Sequence, residues 1–151
     1  MSPVPTPASR RACALALSLF LTAGMSTATV AATAGSASAH QVAVQKLTAT
    51  LLPAGDSDGS GNATLRLNRA KRTVCATATW TNIATPDAAH IHRRSDGGVV
   101  VDLSGSVTGG SKCATVPRRT IKQILRRPGR YYFNIHNPEY PAGAIEGRLR
   151  R

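Results

Sequence analysis

From Val42 onward, apolar residues fall at alternate positions in short runs broken by glycine, proline, asparagine and aspartate. Side chains alternate across a strand, so each run predicts an extended segment with one buried face. Val42, Val44, Leu47, Ala49 and Leu51 mark the first. Its change of parity after Val44 predicts a bulge, or an irregular start before a strand at Lys46. Pro53 to Gly61 is turn material, and Asn62 to Asn68 alternates around Leu65 and Leu67, which predicts a hairpin. Asp56, Ser57, Asp58 and Ser60 are spaced like the start of a calcium loop, but no acid follows where such a loop needs one. The segment reads as a plain turn. Thr73 to Trp80 is a third strand, with Val74, Ala76, Ala78 and Trp80 on one face and Trp80 expected as a core plug. Ala89 to His92, Val99 to Leu103 and Cys113 to Val116 follow, the valine run suiting a buried strand.

One stretch breaks the alternation. In Pro117 to Arg127, Ile121, Ile124 and Leu125 recur at helical spacing, with Arg118, Arg119, Lys122 and Arg126 on the other faces. Pro117 suits a first turn, and Pro128-Gly129 ends the helix. Strands resume at Tyr131 to His136 and Ala144 to Leu149. Many short strands with one short helix predict an all-β sandwich or barrel.

Before the first strand lies a processing signal. Arg10 and Arg11 precede the apolar run Ala12 to Gly24, and small residues lead to Ala37-Ser38-Ala39, an A-x-A cleavage site. Residues 1–39 therefore read as a secretory signal peptide, exported by the general route rather than as a twin-arginine substrate. The apolar run is short for a membrane span, which takes roughly 20 residues. What remains, 40–151, is 112 residues long, enough for one domain with a core at about 46–150. It keeps two cysteines, Cys75 and Cys113, and an even pair in an exported chain predicts a disulfide. Seventeen basic against seven acidic side chains leave it at +10. That balance favours anionic partners, such as cell-envelope polymers, and Arg93, Arg94, Arg118, Arg119, Arg126 and Arg127 are the expected contacts. Another secreted protein is a second partner class. No specific nucleic-acid motif and no mature transmembrane segment is visible, and nothing in the chain fixes an oligomeric state.

Candidate chemistry rests on histidines. His90 and His92, two apart on a strand, share one face about 7 Å apart. If the strand ending at His136 lies beside them, three imidazoles suited to copper or zinc would meet. Alternatively the imidazoles lock the strands together by hydrogen bonds to backbone, Tyr131, Tyr132, Tyr140 or Asn134. Cleavage after Ala39 would also leave His40 with a free amine, a second copper chelator. Catalytic residues are not indicated: no nucleophile motif is present, and Asp87, Asp96 and Glu139, the acids near the histidine motifs, fall in loops. A non-enzymatic binding module is the leading expectation, with a metal protein of possible redox activity as the alternative.

Ala89-His90-Ile91-His92, Val99 to Val101, Tyr131 to His136 and Tyr140-Pro141-Ala142-Gly143-Ala144-Ile145-x-Gly147 occur in that order. Together they resemble the CHRD domain, first named from the developmental regulator chordin and widespread in secreted bacterial proteins. The resemblance implies an immunoglobulin-like, Greek-key antiparallel sandwich and often a cysteine pair where Cys75 and Cys113 stand. It implies no activity. The chain departs from the pattern at Arg93-Arg94, where a glycine is usual, and at Glu146, where arginine is usual.

Overall fold

The computed structural model describes residues 43–151. The expected signal segment, its expected cleavage site and His40 lie outside the described residues. Strands β1 (Gln45–Pro53), β2 (Ser60–Asn68) and β3 (Thr73–Thr81) form an antiparallel meander. The chain then crosses to β4 (Ala88–Arg93) and β5 (Val99–Asp102), a hairpin, and returns to β6 (Cys113–Thr115) beside β3. Helix α1 (Arg118–Arg126) leads back to β7 (Tyr131–His136), which pairs with β4, and β8 (Ile145–Arg148) closes the order. The ladder reads β5-β4-β7-β8-β1-β2-β3-β6. All its pairings are antiparallel.

Strand β1 makes the ladder continuous. Gln45 to Leu51 pairs with β2, whereas Leu52 and Pro53 pair with β8. The sheet thus folds on itself like a sandwich, and the inward residues of both halves share one core. Leu47, Leu51, Leu65, Leu67 and Val74 enter it from one side, and Ile91, Phe133, Ile135 and Ile145 from the other. The helix adds Ile121, Ile124 and Leu125, the spacing expected of its apolar stripe, and ends before Pro128 as its sequence requires. The expected all-β sandwich with one helix is what the chain forms.

Two local expectations change. The valine run is not a buried strand: β5 is the edge of the ladder, bonded on one side only, so Val101 enters the core while Val99 is 53% exposed. Trp80 packs against the core without being fully covered.

Cys75 and Cys113 form a disulfide directly across β3 and β6. Ala76 N–H donates to the Lys112 carbonyl, which makes the cysteines a non-hydrogen-bonded pair, the register in which opposed side chains lie closest. The bridge ties a three-residue edge strand to the sheet. Replacing both cysteines by serine is expected to lower unfolding free energy by about 2–4 kcal/mol. Denaturant titration reads this directly, and an unchanged midpoint would show that β6 holds without the bridge.

Candidate metal centre

In β4 the core takes Ala89 and Ile91, so His90 and His92 project to the opposite face. In β7 the core takes Tyr131, Phe133 and Ile135, which sends Tyr132, Asn134 and His136 to that same face. The β4–β7 register sets Ala88 opposite His136 and His90 opposite Asn134. Three imidazoles therefore meet on one side of one strand pair. Among the described residues this is the one group of three metal-ligating side chains, with a nitrogen from each lying within 4.8 Å of the others. His92 and His136 are 8% and 7% exposed. The His90 side chain is 21% exposed and forms the solvent edge of the group.

Hydrogen bonds assign the protons. His92 Nδ1 lies 2.8 Å from the Gly97 carbonyl, and His136 Nδ1 lies 3.0 Å from the Pro141 carbonyl. A carbonyl oxygen only accepts, so both Nδ1 atoms carry hydrogen and both Nε2 atoms present lone pairs. Nε2 of His92 is buried with no hydrogen-bond partner. Nε2 of His136 faces His90 Nδ1 at 3.0 Å. The other His90 nitrogen, Nε2, faces the Asp102 carboxylate at 3.8 Å. Asp102 is itself fixed: Ser104 donates both its N–H (2.9 Å) and its hydroxyl (2.7 Å) to Oδ1, and these bonds, backbone first, hold the carboxyl below its usual range. Burial, then the His136 imidazole, push His90 below its ordinary value of 6.5, and the Asp102 carboxylate opposes them.

This is the outer-shell pattern of metal-binding histidines, in which one ring nitrogen is tied to a carbonyl or carboxylate and the other is left for the ion. Without an ion, a proton on His90 Nδ1 bridges to His136. Moved to Nε2, that proton faces Asp102 and frees the third lone pair.

Backbone bonding of the imidazoles agrees with part of the structural reading, but its side-chain partners differ. None of Tyr131, Tyr132, Tyr140 or Asn134 hydrogen-bonds His90, His92 or His136. Tyr132 instead stacks on His92 (centroids 5.0 Å apart, 14° between planes). Asn134 donates to the Ala142 carbonyl and supports the loop over the face. Asp102, Gly97 and Pro141 were not singled out from the chain. Asp102 stands opposite His90 only because the β4–β5 register shifts between Ile91 and His92, and regular counting from the turn does not give that shift.

The expected anion contacts do not form one patch. Arg93, Arg126 and Arg127 converge with Arg130, and Arg94 lies next to them. Arg118 and Arg119 sit at the other end of α1 beside Arg72.

The loop after β7 depends on Gly143. Its φ is +133°, and a Cβ there would come within 2.5 Å of the Asn134 amide. Gly143→Ala is expected to cost about 1–3 kcal/mol of stability. If the three imidazoles hold an ion, the shifted Pro141 carbonyl should also weaken its binding about 10–100-fold. Zinc affinity beside a thermal melt checks both effects. Lost stability with unchanged affinity would show that Pro141 does not orient His136.

With the histidine face, the strand order and the cysteine pair in place, comparison by family decides the affiliation: the CHRD domain model matches residues 38–149. The chain belongs to the CHRD family. Among curated proteins and among solved structures, nothing matches. In this CHRD domain the A-H-I-H and Y-Y-F-N-I-H segments lie on the adjacent strands β4 and β7, so the segments that carry the resemblance also carry the histidine group. No helix among the described residues is long and apolar enough to cross a membrane.

Proposed function

We propose that this CHRD domain is exported, with residues 1–39 removed as a signal peptide, and binds one copper or zinc ion through His90, His92 and His136. The observation that carries the reading is the buried, partnerless Nε2 of His92, in a cluster with two further imidazoles whose outer nitrogens face protein acceptors. A buried polar atom left without a partner costs about 1–3 kcal/mol, and a metal ion removes that cost. Three neutral imidazoles without a thiolate suit Cu(II) and Zn(II), and copper is expected to bind more tightly. A bound copper ion would supply one-electron chemistry, and a bound zinc ion Lewis acidity. The protein's own part is to hold the three nitrogens in place, with Asp102, Gly97 and Pro141 fixing the rings. The disulfide agrees with an oxidising compartment.

The test is metal analysis of untagged protein after incubation with copper or zinc and removal of free ion. Retention of one equivalent supports the reading, and retention of none rejects it. The absence of residues 1–39 from protein exported by its own cell would support the export part, and an intact Met1 start would reject it.

A further inference from the structure

The surface beside the histidine face carries a row of arginines that metal binding does not use. At the end of α1, Arg126 and Arg127 meet Arg93 and Arg130 around a hollow of about 320 Å³. A second hollow, about 530 Å³, shares Arg93 and Arg130 and adds Arg94. A third, about 450 Å³, shares Arg94 and adds Arg148 and Arg150. Arg126 also borders a fourth, with Lys122 and Arg151. Shared lining residues make the hollows consecutive. These arginines come from the end of β4 and the turn after it, the end of α1 and the short turn that follows, and the end of β8 and the residues beyond it, and all are exposed. Two acids accompany them: Asp96, which takes Arg93 Nε at 3.0 Å on each oxygen, and Glu146 in the third hollow.

We propose that this row is a binding track for a linear phosphate polymer that carries no bases. None of its arginines is buried, so no hollow holds a single small anion with the strength of an enclosed site. Affinity must come from many weak contacts made along one chain. Guanidinium groups match phosphate oxygens two at a time. Stacking platforms of the kind that single-stranded nucleic acids use are scarce: Tyr131 is buried, and Tyr132 already has one ring face on His92. Charge spaced along a polymer is the chemistry that remains. Arg126 and Arg127 also complement the negative end of the helix dipole, but that role does not account for Arg94, Arg130, Arg148 or Arg150. The proposal does not rest on the metal reading.

The test compares two triple variants of equal charge in the full chain, with long-chain inorganic polyphosphate as the probe. One is Arg94→Gln/Arg130→Gln/Arg148→Gln, on the track. The other is Arg72→Gln/Arg118→Gln/Arg119→Gln, away from it. The track variant is expected to lose about tenfold or more in affinity near 0.1 M salt. Its plot of log affinity against log salt should flatten by about 2, at roughly 0.7 per lost contact. The control should lose less than about threefold, by long-range charge alone. The single variant Arg130→Gln repeats the comparison with minimal change to the fold. Equal losses in both sets would overturn the proposal by reducing it to net charge. Pyrophosphate binding as tightly as polyphosphate would overturn the linear track, and tighter binding of heparin or duplex DNA would overturn the ligand class.

Discussion

His92→Phe is expected to lower copper and zinc affinity by more than about 100-fold while leaving the metal-free domain as stable as before, or more so. Removal of an outer-shell partner already costs 10–100-fold, and His92 would be a ligand itself. The stability expectation follows from burial. Nε2 of His92 is desolvated and unpaired, whereas its ring lies flat against Tyr132. Phenylalanine keeps the stacked ring and removes the orphaned nitrogen, so up to about 1–3 kcal/mol is recovered. The Gly97 carbonyl loses its donor, but Gly97 is exposed and water replaces it. If His92 were instead a structural tie between its strand and the turn, the same variant would melt earlier. Metal titration beside a melt of the metal-free protein separates the two readings.

Phe133→Ala is expected to cost about 3–5 kcal/mol, a large share of the stability of a domain this size. Phe133 is fully buried near the middle of β7, with Ile91 opposite on β4 and Gly147 opposite on β8. The glycine offers no side chain to fill the void after truncation. Nor can the backbone close in: a Cβ on Gly147 would already strike the Thr50 carbonyl. The cost therefore falls toward the upper end of the range. Denaturant unfolding measures it, and a loss below about 1 kcal/mol would mean that the core collapses around the gap.

Strand existence was legible because each strand has one buried face. Leu47, Ala49 and Leu51 mark β1 as plainly in the sequence as in the core. Burial of β5 was not legible. Three consecutive valines read the same in a central strand and at an edge, and only the ladder order separates the two. The spacing of His90 and His92 fixed their common face, but the approach of His136 depends on a pairing between strands 46 residues apart. Local pattern does not encode that pairing. Asp102 was hidden for a related reason, since a register shift between Ile91 and His92 changes which β5 residue faces which histidine. The arginine row is the extreme case: Arg94, Arg130 and Arg148 belong to three separate segments, and only the folded chain sets them in line.

Copper(II) titration of untagged protein carrying His40→Ala, followed by electron paramagnetic resonance, tests whether the three imidazoles on β4 and β7 hold one metal ion. The substitution removes the chelator expected at a processed chain start. One tightly held equivalent is expected, with nitrogen couplings that arise from imidazoles and are lost in His92→Phe and in His136→Ala. A copper signal unchanged by both substitutions, or no retained copper, would contradict a metal site at these imidazoles.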